Sequence, residues 1–228
     1  MADKTLQPPF KTFIFDLDGT LLDTLDDLVV LTNDVLVGAG MPPHTREEIN
    51  SYVGNGAQAL MRQAVPPETP EAVTEQVLQQ WKDAYDVYPN DLTRPYPGVE
   101  AMLAELRNRG CRLGVLSNKF DGGVQFIMKK CLDGAVDVTH GEGGPRHFPR
   151  KPDPAGLLAT IEELGSTPER TVYVGDSPGD IHAARNAGCY AVGVSWGYHD
   201  PRDFAAEGWE PDLLVTDPAQ IVSLAPAA

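Results

Sequence analysis

The chain has 228 residues, 42% of them hydrophobic and 22% charged, enough to bury a full core in one large domain or two modest ones. Its 18 basic and 33 acidic residues leave a formal charge of -15, which argues against nucleic acid, bound through Lys and Arg contacts to phosphate, and against anionic membrane surfaces. An anionic small-molecule substrate stays open, provided the chain builds a local positive site against its own global field.

The cysteines, Cys111, Cys131 and Cys189, are odd in number and widely spaced, with no CxxC, as expected of buried thiols in a reducing compartment. The start, "MADKTLQPPF", has no apolar leader segment, and no apolar run approaches the ~20 residues of a membrane span. These features predict a soluble, cytoplasmic protein. The oligomeric expectation is a monomer or a homodimer.

In chain order, "TFIF" (12–15) reads as the first buried strand. Residues 23–92 then break the pattern, with helices and no convincing strand. Leu25, Leu28, Val29, Thr32 and Leu36 mark one apolar helix face; Val73, Val77, Trp81 and Tyr85 mark another. Pro/Gly punctuation in "GAGMPP", "VPPETP" and "RPYPG" separates the segments. From Val99 the alternation resumes. Val99, Met102, Leu103 and Leu106 fall at i, i+3, i+4, i+7, with Gly110 as a C-terminal cap. "RLGVLSN" (112–118) and "AVDVT" (135–139) read as strands. Leu157, Leu158, Ile161 and Leu164 mark a helix closed by Gly165. "TVYVGD" (171–176), the "DIHAARNAG" helix ending at Gly188, "YAVGVS" (190–195) and "DLLVT" (212–216) complete the series. Strands alternating with helices predict an α/β fold with a doubly wound parallel sheet, Rossmann-like, whose core (1–22 and 93–228) is interrupted by a helical cap (23–92).

Ligands of such sheets bind at the carboxyl ends of the strands. Strand one deposits Asp16 and Asp18 there. The next deposits Ser117, Asn118 and Lys119, and "GDSPGD" deposits Asp176 and Asp180; Lys151 lies in the loop "PRKPDP". Carboxylates gathered at one edge repel unless a cation joins them. Oxygen donors without His or Cys point to a hard ion, and Mg2+ fits best. Mg2+ and Lys151 together make the local positive site that a phosphoryl group needs. Asp16 and Asp18, at i and i+2, face one ligand. Thr20 offers a hydroxyl nearby. The glycine-rich "VGNGA" is no P-loop, because no GK[ST] follows.

"FDLDGTLLDT", "LSN", "KPDP" and "GDSPGD" resemble, in order, the motifs of the haloacid dehalogenase (HAD) superfamily. The resemblance covers nearly the whole chain. It implies that Asp16 is the nucleophile that forms an aspartyl phosphate, and that Asp18 is first general acid and then base. Ser117 and Lys151 would hold the phosphoryl oxygens. Asp16, Asp18 through its backbone carbonyl, and Asp176 would bind Mg2+, with Asp180 supporting the metal site. Partial desolvation would raise the pKa of Asp18.

Within the superfamily, "SYVGNGAQALMRQA", "PYPGV", "SNKF" and "WGY" resemble phosphoglycolate phosphatases. That implies a small-molecule phosphate ester, 2-phosphoglycolate, as substrate. Its carboxylate would meet Arg62 and the backbone at Gly54, Asn55 and Gly56, with Asn118 and Thr20 beside it. The stretch "HGEGGPRHFPR" departs from the subfamily pattern, so Arg146, His147 and Arg150 are candidates for shaping specificity. A phosphomutase, a phosphatase of sugar phosphates, nucleotides or pyrophosphate, and a degenerate binding module are the competing readings. A dehalogenase fits poorly, because it needs neither an acid at Asp18 nor the "GDSPGD" carboxylates.

Overall fold

The computed structural model describes residues 8–206 and 208–227. The beginning of the chain, read above as lacking a leader, lies through residue 7 outside the described residues. β1 (Thr12–Phe15) is buried along its whole length. A short strand, β2 (Leu22–Asp23), leads into α1 (Leu25–Gly38), α2 (Arg46–Tyr52), α3 (Gly56–Ala64) and α4 (Glu71–Tyr85). β3 (Arg94–Pro95) returns the chain and pairs antiparallel with β2, Leu22 facing Pro95 and Asp23 facing Arg94. There follow α5 (Val99–Asn108), β4 (Arg112–Phe120), α6 (Asp121–Cys131), β5 (Val138–Glu142), α7 (Ala155–Glu163) and β6 (Thr171–Gly175). α8 (Pro178–Ala187), β7 (Tyr190–Val194), α9 (Arg202–Ala206), β8 (Leu213–Val215) and α10 (Ala219–Val222) complete the order.

The main sheet is parallel throughout, in the order β5-β4-β1-β6-β7-β8. Its strands follow the two-residue pleat. Phe13, Phe15, Leu113, Val115, Val172 and Val174 join the core on one face, while Ile14, Leu116 and Tyr173 join the core on the other. Both faces are covered by helices, so the strands read as near-continuous apolar runs. The strand order reverses around β1, and the crevice beside β1 and β6 is where such folds take ligands.

The helical insertion has its own core. Leu28, Leu31, Leu60, Met61, Val77 and Trp81 belong to one buried cluster, separate from the two faces of the sheet. Phe120, at the end of β4, enters that cluster, its ring 4.9 Å from Tyr85 and 6.0 Å from Trp81. The return of the chain is fixed by Asp27. Its Oδ2 accepts from the backbone N–H of Leu92 (3.0 Å) and Thr93 (2.6 Å) and from the Thr93 hydroxyl (2.7 Å).

Two local expectations are revised. The edge strand expected at 135–139 runs over Val138–Glu142 instead. The Asp137 carboxylate accepts from the Leu113 N–H (2.8 Å) and holds the chain just before the strand begins. The first insertion helix buries Leu25, Leu28, Thr32 and Leu36 as expected, but also Leu31 and Asp27, while Val29 is only half-buried.

Candidate active site

The sheet register assembles the site. Phe15 is level with Val115 of β4 and Val174 of β6. Asp16 lies one residue past that rung on β1, and Ser117 of β4 and Asp176 beyond β6 lie two past it, so the three gather at one edge of the sheet. Each ladder stays in step up to this edge, which makes their proximity a consequence of strand pairing and not of loop chance.

Lys151 enters between Asp16 and Asp180, its Nζ 2.7 Å from Oδ1 of each. It also lies over the Tyr173 ring, 5.5 Å from the centroid. Asn118 fixes its backbone: Oδ1 accepts from the Lys151 N–H (2.9 Å) and Nδ2 donates to its carbonyl (3.3 Å). The same Nδ2 donates to the Gly54 carbonyl of the insertion at 3.0 Å. One amide therefore ties Lys151 to the α2–α3 loop.

Asp180 sits at the start of α8 in a capping box with Ser177. Its Oδ2 accepts from the Ser177 hydroxyl (2.6 Å) and N–H (3.0 Å), while Oδ1 meets Lys151. It approaches the Gly175 backbone so closely that a Cβ at Gly175 would come within 2.3 Å of the Asp180 side chain. Asp176 is held from the other side. Its Oδ2 accepts from the Tyr198 N–H at 2.7 Å, and His199 Nδ1 stands 3.5 Å away. Gly19 (φ +82°) and Gly197 make room for it; a Cβ on Gly19 would lie 2.5 Å from its Oδ2.

Burial and charge set the protonation of these groups. Burial pushes the Asp16 carboxyl up; Lys151 opposes this while Asp180 and Asp176 add to it, and the result is about 7. Burial would also raise Asp180, but the Lys151 ammonium and the Ser177 hydrogen bonds outweigh it and hold Asp180 below the usual carboxylate range. Burial works against the charged form of Lys151, yet the two aspartates keep it well above the ordinary lysine value. The carboxyl with the large upward shift is Asp16, enclosed among other carboxylates. Asp18 is instead served by donors. Its Oδ1 accepts from the Thr24 hydroxyl at 2.5 Å and from Lys119 Nζ at 3.1 Å.

Oxygens of Asp16, Asp176 and Asp180 lie within 4.8 Å of one another. Asp16 Oδ1 is buried with no well-aligned hydrogen bond, although Lys151 neutralises it by proximity. A cluster of carboxylate oxygens with one such orphaned atom fits a hard divalent cation. The Asp18 side chain is not part of the cluster.

A cavity between the sheet edge and the insertion exposes Asp16, Asp18, Ser117, Asn118, Lys119 and Lys151. Gly54 and Gly56 line its far wall, and Asn55 faces an adjoining cleft. Thr20 is placed differently from expectation. It is buried beneath the site, its hydroxyl 3.4 Å from Asp176 Oδ1, so it steadies a carboxylate and does not face a ligand. Arg62 is not brought to the site. Its half-exposed guanidinium pairs with Glu71 at 2.5 Å and stands 3.7 Å from Glu75. Of the loop at 141–150, Arg146 pairs with Glu163 and Arg150 with Glu142. Gly56 of the insertion packs against that second pair, where a Cβ would meet Glu142 at 2.8 Å. The residues without an assigned role from sequence are Lys119, Thr24, Ser177, Tyr198 and His199. For Lys119 the signal was present, since it follows Ser117 and Asn118 at the strand end.

The haloacid dehalogenase-like hydrolase family matches residues 13–194. A phosphoglycolate phosphatase of Pseudomonas putida is 36% identical over 214 residues, covering 91% of this chain and 76% of the relative. An N-acetylmuramic acid 6-phosphate phosphatase of Pseudomonas aeruginosa is 32% identical, covering 94% of each chain. Among solved structures, a predicted phosphoglycolate phosphatase from Haemophilus somnus superposes with a TM-score of 0.84 at 31% identity, covering 94% of this chain and 97% of that one. With its aspartate-bearing strand end, lysine clamp and acidic cluster, the chain belongs to the haloacid dehalogenase-like hydrolases, as an enzyme of their phosphoric monoester hydrolase type that resembles the phosphoglycolate phosphatases.

Proposed function

We propose that the protein is a Mg2+-dependent phosphatase of a small-molecule phosphomonoester, 2-phosphoglycolate above all, and that it acts through an aspartyl phosphate on Asp16. The observation that carries this reading is the Lys151 ammonium, 2.7 Å from Asp16 and from Asp180. It is a fixed cation beside a carboxylate that faces an enclosed cavity. Support for the substrate comes from the similarity to phosphoglycolate phosphatases.

Asp16 attacks phosphorus in line with the ester oxygen. Lys151 and the Ser117 hydroxyl hold the phosphoryl oxygens, so charge that develops there meets donors already in place. Asp18 passes a proton to the leaving oxygen, then takes one from the water that opens the aspartyl phosphate. Thr24 and Lys119 fix the Asp18 carboxylate for both steps. Asp16, Asp176, the Asp18 carbonyl and, beneath them, Asp180 would hold Mg2+, which when bound supplies charge neutralisation and a fixed orientation for the phosphoryl group. The helical insertion serves as a cap (23–92) that excludes bulk water from the reaction. Among the described residues no helix is long and apolar enough to cross a membrane. With its cysteines as free thiols, the enzyme is proposed to work in the cytoplasm as a monomer or homodimer, without nucleic-acid or membrane partners.

Phosphate release from 2-phosphoglycolate, hexose phosphates, a nucleotide and pyrophosphate tests this, with and without Mg2+. Release from 2-phosphoglycolate that needs Mg2+ and disappears in Asp16→Asn is the expected result. Release that persists in Asp16→Asn would remove the nucleophile assignment. Transfer of the phosphoryl group back to substrate, without net release, would make the protein a mutase.

A further inference from the structure

Lys119 is a buried cation for which the proposed hydrolysis gives only a supporting part. Its side chain is 6% exposed. It lies over the Tyr85 ring of α4, 4.9 Å from the centroid, and touches Asp18 of the core, so it sits where insertion and sheet edge meet. Burial disfavours its charge, but Asp18 overrides this and keeps Lys119 protonated. An ammonium has three N–H donors; Lys119 bonds Asp18 at 3.1 Å and engages the Tyr85 hydroxyl, which leaves one for a ligand. It lines the cavity beside apolar groups of the insertion: Leu28, Leu60 and Trp81. The other lysine of the cavity, Lys151, is already committed to Asp16 and Asp180. A desolvated cation with a donor left over, flanked by Leu28, Leu60 and Trp81, is matched by an anionic group of the ligand.

We propose that Lys119 anchors a carboxylate of the substrate's leaving group, and that the site thereby selects phosphate esters whose carboxylate is attached to the ester-bearing carbon. The inference rests on the phosphatase reading and narrows it. Asp18 must reach the ester oxygen to protonate it, and Lys119 stands 3.1 Å from that same carboxylate. An anion on Lys119 therefore lies within a few bonds of the ester oxygen. A carboxylate one carbon away reaches it; the acid groups of larger phosphosugars, many bonds from their phosphate, do not. The anchor also replaces Arg62, whose guanidinium is spent on Glu71. Because Lys119 rests on Tyr85, a carboxylate held there joins core and insertion through one contact.

Calorimetric binding with non-hydrolysable ligands tests the anchor apart from turnover. In the presence of Mg2+, the wild type is titrated with 3-phosphonopropionate, which keeps the carboxylate, and with propylphosphonate, which carries a methyl in its place. The wild type is expected to prefer the carboxylate by about 10- to 100-fold, the range of a charge-assisted hydrogen bond to a buried cation. In Lys119→Met that ratio falls to about one, and in Lys119→Arg most of it returns. Equal affinity in the wild type, or a preference that survives in Lys119→Met, overturns the proposal. Should Lys119→Met fail to fold by circular dichroism, the wild-type ratio and Lys119→Arg decide. Phosphate release from 2-phosphoglycolate and from ethyl phosphate is read in parallel. Equal turnover of both overturns the anchor and leaves the phosphatase standing. A binding preference that needs Lys119, without release from either ester, upholds the anchor and sinks the hydrolysis.

Discussion

Asp16→Asn removes the proposed nucleophile and, by the same change, is expected to make the metal-free protein more stable at alkaline pH. Burial raises the Asp16 carboxyl from its ordinary 3.8 to about 7. A carboxyl raised on folding favours the native state while protonated, so its contribution is complete below 3.8 and is lost as pH rises through 7. At pH 8 the folded protein carries the full penalty of the ionised group, about 4 kcal/mol at 1.36 kcal/mol per unit; at pH 5 the penalty is under about 2 kcal/mol. Asparagine keeps the shape and removes this term. It also gives up the ion pair with Lys151, so the gain at pH 8 is smaller than the full figure, about 2 to 4 kcal/mol; Lys151 keeps Asp180 as a partner at 2.7 Å. The assay is urea unfolding of wild type and variant in EDTA at pH 5 and pH 8. The variant is expected to be the more stable at pH 8, with the difference shrinking by about 2 kcal/mol or more at pH 5 and on adding Mg2+ to the wild type. A variant less stable than wild type at pH 8, or a difference independent of pH, would refute the claim that Asp16 is held under electrostatic strain.

Other perturbations have equally definite outcomes. Saturating Mg2+ raises the unfolding free energy of the wild type, by about 2.7 kcal/mol at a hundredfold excess over Kd, but not that of Asp176→Asn; differential scanning fluorimetry with and without EDTA reads this. Asn118→Ala removes the bonds that tie Lys151 to the Gly54 loop. It lowers kcat/KM on 2-phosphoglycolate by about 10- to 100-fold, and a loss under about threefold would show that Lys151 holds its place without them. Asp27→Ala frees the N–H groups of Leu92 and Thr93 and destabilises the protein by about 3 kcal/mol in chemical denaturation. Arg62→Ala leaves kcat/KM within about twofold, because it disrupts only exposed ion pairs.

The parallel sheet and the polar edge that gathers Asp16, Ser117 and Asp176 were legible because a buried parallel strand has a plain signature, an apolar run, and because its end is where polar residues must appear. Asp16, Ser117 and Asp176 each close such a run, and the ladder brings them together. What the sequence hid was orientation. Arg62 lies on a helix whose inner face is marked by Ala57, Leu60, Met61 and Ala64, at i, i+3, i+4 and i+7. That spacing, followed through, already sends Arg62 outward. α6 went unassigned because its sequence begins "DGG", a poor helix start by propensity. The structure supplies the reason: a Cβ at Gly123 would come within 2.8 Å of the Phe120 ring, so packing overrode propensity there. Sequence shows which acids are neighbours but not which is enclosed, so the burial of Asp16 could not be read from it. The partners of Asp18, Thr24 and Lys119, come from other segments, one of them across the sheet.

The two-residue ladder of β2 and β3 has a consequence for folding. Residues 24–93 leave and re-enter the sheet domain at adjacent rungs, Asp23 beside Arg94. For an unstructured chain, closing so long an excursion would oppose folding by about 2 to 3 kcal/mol more than a four-residue turn. The insertion's own apolar cluster, with Asp27 gripping Leu92 and Thr93, brings its ends together in advance. To the rest of the chain the excursion then behaves as a tight hairpin. Any self-supporting unit whose ends meet at one rung could be spliced at that junction, and β1 would still find its neighbours in the same register.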